Sequence, residues 1–149
     1  MSNDVLFFDS SALIAGIVSS QGAARALLLL AENEKIDIIV SEQVIAEVER
    51  NIARKIPRAL PFARELILHA KIRIIRDPRP EETLPCEAWI KHPPDISILA
   101  AASFARVDFL VTLNTKHFID DPKVAHLSGL RIGTPGDALI WISNILSSS

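Results

Sequence analysis

The chain of 149 residues has a single cysteine, Cys86, so it has no internal disulfide to form. A reducing compartment is the simplest setting for such a chain, and a cytoplasmic location is expected. A leader-like start is missing too: Met1-Ser2-Asn3-Asp4 is polar and acidic, and the apolar stretch behind it is short. The aliphatic run 27–31 falls far below the roughly 20 residues of a membrane-spanning helix, so no membrane association is expected. An excess of positive charge is absent, the formal net charge being −2. That excludes a generically basic nucleic-acid binder, and any such contact must come from a local patch or a metal. The chain also has no G-x-S-x-G elbow, no Walker loop and no G-x-G-x-x-G turn. What it does have is apolar content, 49%, and enough length to bury a real core as one domain over residues 1–149.

Periodicity sorts the chain into alternating strands and helices. Residues 5–8 read as a short, unalternating strand, the pattern of a strand covered on both faces. Ser10 or Ser11 offers a cap for a helix to about residue 18, and Gly22 opens an Ala- and Leu-rich helix through residue 34. A second strand is expected at 36–40, a helix from Ser41 to about Lys55 with Pro57 just beyond, a helical segment at 61–71 and a third strand at 72–75. The proline-rich stretch 77–94 reads as the one long loop. A helix over about 95–105, a strand at 109–112, a brief strand at 131–133 and a closing helix over 135–146 complete the chain. The alternation implies crossover connections, hence an α/β protein with three α/β/α layers and a mainly parallel central sheet of four to five strands.

Several oxygen-bearing side chains fall at element ends. Asp9 stands at the exit of the first strand, where burying a carboxylate is costly unless a cation, a donor or water meets it. In parallel α/β folds that rim is where ligands sit. Helix capping also accounts for an aspartate there, although Ser10 and Ser11 are able caps as well. Glu47 flanks the apolar face Val44, Ile45, Val48 and Ile52 on one side and Glu49 flanks it on the other, and helical periodicity does not choose between them. Asp95 follows Pro93-Pro94 at a helix start, where the dipole favours an acid, and it precedes Leu99 and Ala102 on the inward face.

Thr112 and Asn114 end another strand. A hydroxyl there can orient a carboxylate, and an amide oxygen can ligate a hard cation or bind a metal-held water; an Asn turn is the structural alternative. His117 has no partner histidine at metal-binding spacing and reads as a surface or phosphate-contacting group. His69, His92 and His126 carry no pattern. Oxygen donors without a Cys or His cluster suit Mg²⁺ or Mn²⁺ rather than Zn²⁺.

The order of these motifs resembles a PIN domain. The blocks that carry the likeness are 7–14 (Phe-Phe-Asp-Ser-Ser-Ala-Leu-Ile), 41–48 with Ile45-Ala46-Glu47-Val48, 95–102, and 108–118, in which strand-Thr-x-Asn-x-x-x-Phe is the most specific. PIN domains are metal-dependent ribonucleases, many of them VapC-like toxins neutralised by a small antitoxin. The resemblance implies metal-binding acids at Asp9, Glu47 and Asp95, with Asn114 in the fourth position, where a second cation would be held less tightly. It implies supporting hydroxyls at Ser11 and Thr112, an RNA substrate and a cognate antitoxin. The apolar helix at 23–31 offers a surface for a homodimer or for the antitoxin, with burial in the chain's own core as the alternative. Lys116, His117, Arg50 and Arg54 are candidates for RNA-backbone contacts. A catalytically impaired module serving as a protein partner is the alternative function. A phosphate-handling domain of receiver or haloacid-dehalogenase type fits poorly, because position 11 is Ser and Asp77 lies two residues beyond the strand.

Overall fold

The computed structural model of the chain describes residues 3–148. Its strands are β1 (Val5–Phe8), β2 (Asp37–Ser41), β3 (Arg73–Ile75), β4 (Phe109–Val111) and β5 (Ile132–Gly133). They form one sheet in the order β3-β2-β1-β4-β5, with every pairing parallel. The helices are α1 (Ser10–Val18), α2 (Ala23–Glu32), α3 (Glu42–Lys55), α4 (Leu60–His69), α5 (Pro80–Thr83), α6 (Pro93–Phe104), α7 (Pro122–Ser128) and α8 (Pro135–Ser148). Parallel neighbours need a crossover between them, and these helices supply the crossovers and cover the sheet.

The central strands are apolar on both faces because both faces are buried. Leu6, Phe7 and Phe8 in β1, and Leu110 and Val111 in β4, have no exposed surface. Each such side chain contributes about 1.5–3 kcal/mol relative to leaving it in water. The edges are blunted differently: β3 is three residues long with Arg73 and Ile74 exposed, and β5 has two residues. Helices α1 and α2 pack closely through Gly16, where an added Cβ would lie 2.7 Å from Leu28 Cδ1. No single helix among the described residues is long and apolar enough to cross a membrane.

Two segments differ from the sequence-based expectation. The stretch 77–94 is not one open loop: it holds α5, a 3-10 stretch at Leu84–Ala88 and the buried Cys86 and Ile90. Proline favours the first positions of helical turns, and Pro80, Pro85 and Pro93 each sit there. Glu82 then ties the segment down, accepting from Arg79 N–H at 2.8 Å and pairing with Arg76 at 2.7 Å. Between β4 and β5 the chain forms a π-helical turn at Thr115–Ile119 and then α7, neither expected. Asp121 caps α7 ahead of Pro122, and Gly129 ends it in the left-handed region at φ 73°.

Candidate metal centre

Strand order fixes where the site is. The chain runs outward from β1 through β2 to β3, then returns to the other side of β1 for β4 and β5. The carboxyl ends of β1 and β4 therefore flank the point where strand order reverses, the crevice in which open α/β sheets bind ligands. Asp9 leaves β1 there and Thr112 leaves β4 there, joined by Asp9 N–H donating to Val111 C=O at 3.1 Å.

Asp9 is 6% exposed and does two jobs. Its Oδ1 accepts from Ala12 N–H at 2.9 Å, so Asp9 itself caps α1. Ser10 and Ser11, the caps expected from sequence, are instead the first helical residues, and their hydroxyls are spent on the site. Ser11 Oγ donates to Asp9 Oδ1 at 2.6 Å and accepts from Leu113 N–H at 3.0 Å. Thr112 Oγ1 donates to Asp9 Oδ2 and accepts from Asn114 N–H at 2.9 Å. Burial pushes the Asp9 carboxyl above its ordinary value, and the nearby Asp95 charge pushes the same way; donation from Ser11, Thr112 and Ala12 opposes both without cancelling them.

Tertiary contacts separate Glu47 from Glu49. Ser10 Oγ donates to Glu47 Oε2 at 2.7 Å, and Gln43 Nε2 donates to Oε1 at 3.1 Å, which holds Glu47 beside the Asp9 corner. Glu49 turns away to Arg64, at 3.2 Å. Arg50 and Arg54 follow Glu47 by one and two helical turns and are exposed.

Asp95 is 7% exposed at the first turn of α6. His117 Nδ1 lies 2.6 Å and His92 Nδ1 3.1 Å from its Oδ2. Asn114 turns its amide nitrogen to the same carboxylate at 3.4 Å, while its oxygen accepts from His117 N–H. Asn114 is thus both the turn residue and a neighbour of Asp95. His117 does have a partner histidine, contrary to the reading from spacing: the fold brings His92, 25 positions earlier, so that the ring centroids stand 4.8 Å apart. Beside them opens a groove of about 680 Å³ whose lining includes Lys91, Lys116 and Lys123.

The donor chemistry fits a hard divalent cation. Asp9 retains a lone-pair direction beyond its three donors, since a carboxylate accepts about four. Among the described residues, the one trio of ligand atoms within 4.8 Å of one another is His92, Asp95 and His117. Asp9, Glu47 and Asp95 are not drawn in that tightly.

The PIN domain family model matches residues 5–116, which include Asp9, Glu47, Asp95 and Asn114. The chain belongs to the PIN domain family. Solved structures share its fold. A toxin-antitoxin complex from Klebsiella pneumoniae aligns with TM-score 0.64 and 23% identity, over 87% of this chain and 97% of that one. VapBC2 from Rickettsia felis, bound to a DNA fragment from its promoter, aligns with TM-score 0.62 and 18% identity over 87% and 98%. VapC20 from Mycobacterium tuberculosis, a sarcin-ricin loop cleaving toxin, gives TM-score 0.55 and 16% identity over 74% and 91%. No curated protein matches the chain in sequence. The PIN-domain match accounts for the five-stranded parallel sheet and its flanking helices. Ser10, Gln43 and His92 are site residues that sequence reasoning missed: Ser10 meets Glu47 from 37 positions away, whereas Gln43 precedes Glu47 by four residues and His92 precedes Asp95 by three, local spacings that could have signalled them.

Proposed function

We propose that this PIN domain is a metal-dependent endoribonuclease and the toxin of a toxin–antitoxin pair. The observation that carries the reading is the buried Asp9 carboxylate at the strand-order reversal, held by Ser11, Ala12 and Thr112 and electrostatically coupled to Asp95. Asp9, Glu47 and Asp95 would hold one Mg²⁺ or Mn²⁺, with Asn114 helping through its amide oxygen or a bound water. When bound, such a cation lowers the pKa of a coordinated water and offsets charge on the phosphodiester transition state.

The protein's own groups do the rest. Ser11 and Thr112 fix the orientation of Asp9, and Ser10 and Gln43 fix Glu47. Lys116 and His117 on the groove wall, with Arg50 and Arg54 on α3, meet the RNA backbone, which makes binding weaken as salt rises. The likeness to toxins, one of them a sarcin-ricin loop cleaving toxin, supports an RNA substrate and an antitoxin partner.

The test is incubation of purified protein with end-labelled RNA in Mn²⁺, in Mg²⁺ and in excess chelator. Cleavage with either metal, silenced by chelator, is expected. Full cleavage under chelation refutes the mechanism, and absence of both cleavage and Mn²⁺ binding establishes the impaired module instead.

A further inference from the structure

We propose that His92, Asp95 and His117 form a second metal site, selective for a borderline transition-metal ion such as Zn²⁺, whose occupation withdraws Asp95 from the carboxylate centre. Two imidazoles and one carboxylate make a donor set unlike the oxygen set of Asp9, Glu47 and Asp95. Imidazole nitrogen suits Zn²⁺, Co²⁺ and Ni²⁺ and is a poor ligand for Mg²⁺. The three donor atoms are already gathered within 4.8 Å, with both Nδ1 atoms converging on Asp95 Oδ2 at 2.6 and 3.1 Å.

Tetrahedral coordination at bond lengths of roughly 2.0–2.2 Å sets neighbouring ligand atoms about 3.4 Å apart. To admit an ion, the two Nδ1–Oδ2 separations of 2.6 and 3.1 Å open by about 0.8 and 0.3 Å, and the trio, within 4.8 Å overall, closes by up to about 1.4 Å. That movement is sterically easy: the His92 side chain is 51% exposed and His117 33%, and both rings line the 680 Å³ groove. A three-ligand site on a groove wall leaves a fourth position for water or an incoming phosphate oxygen. Asn114, donating to Asp95 at 3.4 Å, keeps that carboxylate turned toward the cluster.

Asp95 is the shared ligand. Committed through Oδ2 to an ion beside the two histidines, with that ion's charge at its side, it holds a second cation beside Asp9 and Glu47 less tightly, so Zn²⁺ acts as an inhibitor set against the activating Mg²⁺ or Mn²⁺. This inhibitory half rests on the nuclease reading; the site itself does not.

Co²⁺ reports the site by its visible absorption, and Zn²⁺ titration calorimetry gives stoichiometry and affinity. The expected result is one Zn²⁺ per chain on the wild type, displacing Co²⁺. His92→Ala should weaken Zn²⁺ at least about tenfold, the lower end of what loss of even an outer-shell partner costs. Asp9→Asn, which lies outside the trio, should still bind one Zn²⁺ per chain. Absence of stoichiometric Zn²⁺ binding, or its loss in Asp9→Asn but not in His92→Ala, overturns the site. In the cleavage assay, micromolar Zn²⁺ should inhibit the wild type and spare His92→Ala; equal inhibition of both overturns the withdrawal of Asp95. Should the chain cut no RNA, the Co²⁺ and Zn²⁺ titrations still decide the site.

Discussion

Replacing Asp9 by asparagine should make the protein more stable at neutral pH while abolishing cleavage. The carboxylate is 6% exposed and lies close enough to Asp95 to feel its charge. Three donors oppose those costs: Ala12 N–H at 2.9 Å, Ser11 Oγ at 2.6 Å and the Thr112 hydroxyl. Hydrogen bonds to a charged group are worth about 1.5–3 kcal/mol against about 0.5–1.5 for neutral ones, so the loss of charge weakens all three. The direction of the Asp9 shift says which side wins. Its pKa is raised, so burial and repulsion outweigh the donors, and the folded protein is destabilised by ionisation of this group. An asparagine removes the charge and keeps its Oδ1 toward Ala12 and Ser11; its NH₂ donates to Thr112 Oγ1, whose own proton must then turn from this group to another acceptor. The sign is a net gain, and each 1 kcal/mol of it appears as about 2–4 °C in Tm for a domain near this size. Stability linked to Asp9 is fully present below its unfolded value of 3.8 and is lost as pH rises through the raised folded value. The advantage of the variant should therefore be complete above that folded value and close as pH falls to 3.8. Thermal denaturation of both proteins across pH 3.5–8, read by far-ultraviolet circular dichroism, checks it. A variant less stable than wild type at pH 7.5 would refute the claim that Asp9 is held against its own electrostatics.

Four further outcomes follow from the same geometry. Thr112→Val leaves Asp9 Oδ2 and the Asn114 N–H without their hydroxyl partner, which should cost about 1–3 kcal/mol in urea denaturation and lower the cleavage rate. Gly133→Ala sets a Cβ 2.9 Å from Asp137 Cβ and 3.0 Å from Phe109 Cζ, an overpacking expected to cost about 1–3 kcal/mol in the same assay. Leu99→Ala empties a position with no exposed surface under Asp95, at about 3 kcal/mol. Arg76 and Arg79 N–H hold the Glu82 carboxyl down to about 2, so this contact is in place above the ordinary carboxylate value and is lost as pH falls through 2. Glu82→Gln should accordingly speed exchange of the backbone amides of residues 81–83 and leave cleavage untouched.

Much of the fold was legible because the sheet is buried on both sides. Val5–Phe8 reads as a strand by its unbroken apolar run, and the structure gives it those limits. The turn chemistry was less legible. Prolines in 77–94 suggest a loop when each is taken as a breaker, but Pro80, Pro85 and Pro93 all start helical turns. The signals for α7 were present in Asp121-Pro122 and Gly129, at the cap, first-turn and left-handed positions that helices favour.

At the site, local pattern places Asp9, Asp95, Thr112 and Asn114 at element ends, since strand exits and helix starts are one-dimensional features. It does not separate Glu47 from Glu49: that choice is made by Ser10 and Arg64, 37 and 15 positions away. Spacing also does not see His92 meeting His117, because β4 and the whole of α6 lie between them.

The claim on which the rest stands is that Asp9, Glu47 and Asp95 share one hard cation. The anomalous difference map of a crystal grown or soaked with Mn²⁺ addresses it without an assay. The prediction is a single strong peak touching carboxylate oxygens of all three residues. A map with no peak beside Asp9, or with Mn²⁺ held by groups that include neither Asp9 nor Glu47, would contradict it.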